Sequence, residues 1–206
     1  MTTSDTAHAI LDAAQALAQT RGFNAFSYRD LADRVGIRTA SIHYHFPSKA
    51  DLGRALVERY HDVVAGMLAA IARDTTDAPE RLARYADLLE SVLATPGEGD
   101  ELRICLGGML ASDFPTLPPD MQEGVAYFVR ANVAWLADVL ERGRNDGTLA
   151  FTGDSDAAAT ALFSALEGAM MVARSCDDPS RYRATADWLL ANFARNASTA
   201  VGTTVG

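Results

Sequence analysis

The sequence predicts an all-α fold of about nine helices, with a small N-terminal head and a larger helical body. Apolar residues recur at three- and four-residue spacing in one segment after another, and no segment shows the two-residue alternation of a strand. Ser27 with Asp30, and Ser48 with Asp51, have the spacing of capping boxes that begin helices. The expected domains are residues 1–47 for the head, 48–195 for the body and 196–206 for a flexible tail.

The head has the pattern of a helix-turn-helix. A first helix is expected over residues 4–21, with a glycine directly after its end. A second helix begins at Ser27, and Gly36 supplies the permissive backbone for a sharp turn after it. The third helix then covers residues 38–46, before a proline stops it.

The third helix is short and carries polar residues on its outer side, as does the helix that enters the DNA major groove in this motif. Ala40 and Ile42 are left to pack inward. Lys49 falls in the first turn of the next helix, where a cation opposes the helix dipole, and this indicates an anionic partner such as a DNA phosphate. The candidate DNA-contacting residues are Ser27, Tyr28, Arg29, Arg38, Thr39, Ser41, Tyr44, His45 and Lys49.

Three stretches, ILDAAQALAQTRGF, SYRDLADRVGI and YHFPSKADL, together resemble the helix-turn-helix of the TetR/AcrR family of bacterial transcriptional regulators. The resemblance covers roughly residues 8–60. It departs from the family pattern at Arg38 and Thr39, which open the recognition helix, and at His43, where tyrosine is frequent. The resemblance implies a homodimer that binds a palindromic operator in double-stranded DNA and, as a repressor, is released by a small-molecule effector.

The body begins with a long helix over residues 48–73, which joins it to the head. Any change in the tilt of this helix would move the recognition helix. We therefore expect regulation to act through the helix over residues 48–73. Further helices are expected from Pro79 to before Thr95, from about Asp100 to Ser112, from Asp120 to Asn145, from Asp154 to Arg174, and after Asp178 as the last N-cap.

The helix over 154–174 is apolar on two sides, and the last helix has a matching pair of faces. A helix with two apolar sides needs two partners, and one of them could be a second subunit. The alternative is an internal layer of a larger core; the family resemblance favours the dimer. The candidate dimer-interface residues are Ala158, Leu162, Ala165, Ala169, Trp188 and Ala191.

The body carries aromatic residues and methionines, each of which alone is more often core than ligand contact. Asn132 interrupts an apolar stripe, and a buried amide needs hydrogen-bond partners from either the core or a ligand. Glu167 and Arg174 lie two turns apart and could be polar lining or a structural ion pair. The candidate ligand-binding residues are Tyr85, Cys105, Met109, Phe128, Asn132, Trp135, Met170 and Arg174.

Cys105 allows a second hypothesis about the effector. Near the start of a helix beginning at Asp100, the helix dipole and Arg103 could lower the pKa of its thiol. The surrounding residues also resemble a TetR subgroup that responds to reactive electrophiles, whereas the simpler interpretation is an inert core cysteine. Gly107 and Gly108 indicate that this helix is either closely packed by a neighbour or easily deformed.

The charge is unevenly distributed. The chain of 206 residues has a net charge of −9, yet five basic and five acidic residues balance within residues 1–51. A neutral head on an acidic body predicts that DNA binding rests on a few placed phosphate contacts and weakens with salt.

The sequence lacks the motifs that are typical of several classes of protein. Two cysteines without CxxC spacing disfavour a disulfide framework or a zinc site. No run is long enough to span a membrane and MTTSDTAHA is no signal peptide, which predicts a cytoplasmic protein. No glycine-rich phosphate loop, HExxH or GxSxG is present, so we expect no enzyme, cofactor or metal. The rival class is a helical protein-interaction module without DNA binding.

Overall fold

The computed structural model describes residues 3–95 and 101–194, and these residues form nine α-helices and no β-strand. The all-α prediction is therefore confirmed, while the expected tail at 196–206 lies outside the described residues. The helices are α1 Thr3–Arg21, α2 Tyr28–Val35, α3 Thr39–His45, α4 Lys49–Asp74, α5 Ala78–Leu93, α6 Leu106–Ser112, α7 Pro119–Asp146, α8 Ser155–Ser175 and α9 Ser180–Phe193.

Both expected capping boxes are present, one in the head and one at the start of the helix that joins the head to the body. The Ser27 hydroxyl accepts from the Asp30 backbone N–H while the Asp30 side chain accepts from the Ser27 N–H, and Ser48 with Asp51 does the same at the start of α4. Gly36 ends α2 in the left-handed region, with φ 74°, which a residue with a side chain adopts less readily. Local sequence chemistry thus places the turn of the helix-turn-helix.

The helix expected from Asp100 begins only at Leu106, so Cys105 occupies the N-cap position and the helix is shorter than predicted. The chain before it is held by contacts with other elements. The Ile104 N–H donates to the Gln19 carbonyl at 3.1 Å, and the Leu106 N–H donates to the Tyr60 hydroxyl at 3.4 Å. Because these donors already have distant partners, an extra helical turn would have to replace those contacts.

Gly107 and Gly108 allow two neighbouring helices to approach α6 closely. A Cβ on Gly107 would lie 2.3 Å from Cε1 of Phe128, and one on Gly108 would lie 2.3 Å from Oε2 of Glu167. Of the two explanations offered by the sequence, close packing by a neighbour is therefore the one that the structure supports.

The helix α8 packs between α7 and α9 and supplies much of the body core. Its length and a mean hydropathy of 1.2 would also suit a membrane span, but 44% of that window is buried inside the protein. Its packing against two helices is enough to explain its apolar character.

The proposed dimer residues on α8 and α9 need correction. Leu162 and Ala169 are buried within their own chain, with 1% and 6% exposure, so they cannot meet a second subunit. Ala158 and Ala165 are half-buried, whereas Trp188 and Ala191 are exposed as expected. The apolar residues that remain exposed on α8 and α9 include Ala157, Ala161, Met171, Val172, Ala184, Trp188 and Ala191, so an interface on these two helices stays a prediction.

Candidate functional site

The recognition helix α3 is anchored through Ile42, which is fully buried, and presents its other side to solvent. Tyr44 is 77% exposed, and Arg38 and Thr39 are exposed at the start of the helix. Ala40 was expected to pack inward but is exposed, because it lies on the side of α3 away from Ile42. Of the other candidates, Arg29 is exposed while Ser41 and His45 are half-buried.

Tyr28 and Ser27 are engaged within the head. The Tyr28 hydroxyl lies 2.8 Å from the Phe46 carbonyl oxygen and 2.6 Å from that of Ser48, the two residues that flank the turn into α4. Burial, with a smaller contribution from the charge of Asp51, raises the pKa of Tyr28 to about 12. The Ser27 hydroxyl is used in its capping box. Both side chains therefore fix the geometry of the head, and the structure gives no direct support to them as DNA contacts.

Lys49 was expected to be available to a DNA phosphate, but its ammonium group has partners within the chain. Its ammonium group donates to the Phe26 carbonyl and lies 4.5 Å and 5.0 Å from the ring centroids of Phe26 and Phe23. Burial lowers its pKa. Because cation–π contacts and a carbonyl offset the unfavourable helix dipole, the argument for an anionic partner at Lys49 loses its basis.

A Tyr28→Phe variant is expected to lose about 1 kcal/mol of unfolding free energy, because the carbonyls that it serves lose a donor. Urea unfolding at fixed protein concentration measures this loss. Tyr44→Phe is the matched control in the same head, and its exposed hydroxyl should leave stability within about 0.5 kcal/mol. Equal stability of the two variants would show that Tyr28 does not hold the turn.

A cavity of about 120 Å³ lies between the head and the body. Gln15 and Gln19 of α1 form part of its wall, so the cavity is not confined to the body. Four of the predicted ligand-binding residues line it, namely Tyr85, Cys105, Phe128 and Asn132. The other lining residues are Tyr60, Val63, Val64, Met67, Leu88, Leu89, Ser91, Val92 and Glu167.

The other four predicted ligand residues lie elsewhere. Met170 is fully buried in the core, and Trp135 stacks on Tyr85 at 5.7 Å, in a groove of about 420 Å³ between α4 and α7. Arg174 donates to the Thr20 carbonyl at the end of α1 and to the Met109 sulfur at 3.4 Å. Their helical spacing alone could not distinguish these positions from those that face the cavity.

Asn132 has partners inside the chain for both ends of its amide. Its Oδ1 accepts from the Tyr85 hydroxyl at 3.1 Å, and its Nδ2 donates to the Phe128 carbonyl at 2.9 Å. The buried amide is therefore satisfied without a ligand, although it lines the cavity.

Cys105 is 1% exposed, and burial, with the nearby Glu167 carboxyl, raises the pKa of its thiol. The expected lowering of this pKa is wrong, because desolvation and a carboxyl outweigh any effect of the helix end. The Tyr60 hydroxyl donates to the Cys105 sulfur at 3.5 Å. Cys176, the other cysteine, is exposed. Within the described ranges, no cluster of three His, Cys, Asp or Glu side chains could hold a metal ion.

The sequence left two interpretations of Glu167, polar lining of a ligand site or an ion pair with Arg174. In the structure Arg174 contacts Thr20 and Met109 instead, and neither carboxyl oxygen of Glu167 has a hydrogen-bond partner. Burial raises the pKa of Glu167 to about 7, with the Cys105 thiol offsetting part of the shift. The signal in the sequence was a single acidic residue within an otherwise apolar stretch of α8.

Three hydrogen bonds join the end of α1 and the residues directly after it to the body. Ile104 and Arg174 donate to the carbonyls of Gln19 and Thr20, and the Phe23 N–H donates to Asp113 Oδ2 at 2.9 Å. The head is thus attached to the segment around α6 as well as to α4. The segment that carries Cys105, which lines the cavity, therefore contacts the head directly.

Comparison with known proteins gives matches over both regions. The profile for bacterial regulatory proteins of the tetR family matches residues 10–56, and that for the tetracyclin repressor-like C-terminal domain matches residues 78–189. The chain is 26% identical to the transcriptional repressor NemR of Escherichia coli, over 84% of this chain and 86% of that protein. It is 26% identical to the transcriptional regulator AcuR of Cereibacter sphaeroides, over 75% and 69% of the two chains. A TetR-family regulator from Agrobacterium tumefaciens superposes with a TM-score of 0.88 at 34% identity, covering 94% of this chain and all of that one.

Proposed function

Because the chain belongs to the TetR/AcrR family of DNA-binding transcriptional regulators, we propose that it is a homodimeric repressor released from a palindromic operator by a small-molecule effector. The observation that carries the proposal is a cavity whose wall includes residues of the head. We expect the protein to act in the cytoplasm, where its DNA is.

Operator binding is assigned to the exposed side of α3. Arg38, Thr39 and Tyr44 are exposed there, and the buried Ile42 holds the helix in place. Two such helices in a symmetric dimer would contact half-sites about 34–36 Å apart, or farther if the heads are splayed.

We assign the release of DNA by the effector to the contact between the cavity and the head. A ligand in the cavity would touch Gln15 and Gln19 on α1 and Tyr60 and Val64 on α4, the two helices that carry the head. If the ligand fits better when these helices are shifted, its binding energy favours the conformation in which the half-sites are mismatched.

The proposal is tested by selecting bound fragments from a genomic library and titrating the purified protein against them at several salt concentrations. An Arg38→Ala variant is expected to lose about 1–3 kcal/mol on the best fragment, since a contact to a base edge is removed. Arg142→Ala, an exposed arginine of α7 paired with Asp138, is the control and should bind as the wild type does. Failure to select any preferred fragment would refute the proposal.

Electrophile sensing through Cys105 is a less supported alternative, because this thiol is buried and its pKa is raised. It predicts that a maleimide releases DNA from the wild type but not from Cys105→Ser. The exposed Cys176 makes Cys176→Ser a necessary control, since a reagent reaches that thiol first. The other alternative, an interaction module without DNA binding, is opposed by the family match over the helix-turn-helix.

A further inference from the structure

Glu167 lies on the wall of the cavity with no partner for its charge. The residue is 8% exposed, and neither buried carboxyl oxygen has a partner at hydrogen-bond distance; only the neutral Cys105 thiol is near enough to lower the pKa of the carboxyl in part. One oxygen is directed at Gly108, where only the absence of a side chain leaves room for it. A buried polar group without a partner is costly, so its presence on the cavity wall points to a ligand that supplies the missing donor.

The groups around Glu167 supply no compensating cation. Cys105, Tyr60 of α4, Tyr85 of α5 and Tyr182 of α9 all have pKa values raised by burial and by the nearby carboxyl, so they stay neutral at neutral pH. The side chains of α1 and α7 that line the cavity are amides and apolar groups, and none of the described lining residues is lysine, arginine or histidine.

We propose that this cavity takes a small apolar molecule carrying a protonated amine, whose ammonium group donates hydrogen bonds to the Glu167 carboxylate. This inference rests on the proposed function for the role of the cavity as the effector site. An ammonium group brings three donors and a positive charge, which are the two things that the buried carboxylate lacks. An anionic ligand would instead meet a like charge without any basic residue to offset it.

The rest of the cavity fits the remainder of such a molecule. The aromatic residues Tyr60, Tyr85 and Phe128, whose rings can attract a cation, line it, and aliphatic side chains complete the wall. A cavity of about 120 Å³ is comparable with an engineered apolar cavity that holds benzene, so the ligand is a short alkyl or aryl amine.

The test uses three linear probes of nearly equal size, namely n-pentylamine, pentan-1-ol and pentanoate, by calorimetry on the full-length protein at pH 8. At this pH Glu167 is largely ionised and the amine is protonated. We expect the amine to bind about tenfold or more tightly than the alcohol, since a charge-assisted hydrogen bond replaces a neutral one. Pentanoate should bind more weakly than the alcohol.

Glu167→Gln is expected to remove the preference, so that amine and alcohol bind equally. Glu123→Gln makes the same chemical change on an exposed part of α7 and should preserve the preference. Equal binding of amine and alcohol by the wild type, or a preference that survives in Glu167→Gln, would overturn the inference. Unliganded melting temperatures show that each variant is folded.

The outcome can be separated from that of the proposed function, because probe binding is measured without DNA. If the protein binds operator DNA but shows no preference for the amine, only the proposal of an amine ligand is contradicted. Amine binding in a protein that selects no DNA fragment would reject the regulator and leave the amine site standing.

Discussion

A Trp188→Asp variant is expected to be a folded monomer whose affinity for operator DNA is lower by roughly 100-fold or more, because two linked heads bind far more tightly than one. Trp188 is 66% exposed on α9, beside the exposed Ala184 and Ala191. The neighbouring helix α8, which packs against α9, also has exposed apolar residues, among them Ala161 and Val172, the latter 51% exposed. An aspartate at the centre of such an apolar surface would be desolvated without a partner on dimerisation.

Light scattering after gel filtration measures the oligomeric state, and titration with a selected DNA fragment measures the affinity. Tyr127→Asp is the matched control, since Tyr127 is a second exposed aromatic residue, 54% exposed on α7 where it packs on His61. This variant should remain a dimer with unchanged affinity. If Trp188→Asp is still a dimer, the prediction that the interface includes this face of α9 is wrong.

The second large effect concerns pH. The pKa of Glu167 is about 7 in the folded protein, against 4.5 for an unperturbed carboxyl. Between these values the folded chain binds the proton more strongly than the unfolded chain, so stability falls as pH rises from about 4.5 to about 7 and then levels off. The shift corresponds to roughly 3 kcal/mol of unfolding free energy, by the usual conversion of pKa differences.

Glu167→Gln should abolish this part of the pH dependence, so that its unfolding free energy relative to the wild type is higher by roughly 2–3 kcal/mol at pH 8 than at pH 5. Urea unfolding of both proteins at pH 5, 6, 7 and 8 gives the difference, at one protein concentration because dimers unfold in a concentration-dependent way. Exposed carboxyls with lowered pKa, such as Asp30 and Asp51, contribute equally to both proteins and cancel. If the difference in unfolding free energy between the two proteins stays constant with pH, the pKa of Glu167 is that of an ordinary carboxyl.

Helix starts and turns were predictable because their chemistry is local. Ser27 with Asp30 and Ser48 with Asp51 satisfy backbone donors three residues away, so the spacing alone identifies them. Gly36 acts through its own backbone conformation. The number of helices and the place of the helix-turn-helix follow from the same short-range rules.

Side-chain roles were less predictable, since helical periodicity gives a face but not its partner. Leu162 and Ala169 share a face with Ala158 and Ala165, yet only contact with α7 and α9 determines which of them remain accessible. Tyr28 lies in a DNA-binding head and was assigned to DNA, but its hydroxyl is used across the turn into α4.

The sequence by itself determined the all-α class and the helix-turn-helix, because caps, turns and periodicity act over a few residues, while the family came from the resemblance of three short stretches. Only the tertiary structure decided the state of Lys49, Cys105 and Glu167. Lys49 meets the Phe26 carbonyl and two rings from an earlier segment, and Cys105 and Glu167 are brought together from different elements and removed from water. Desolvation and long-range partners set the charge and accessibility of a side chain, and neither is encoded in its immediate neighbours.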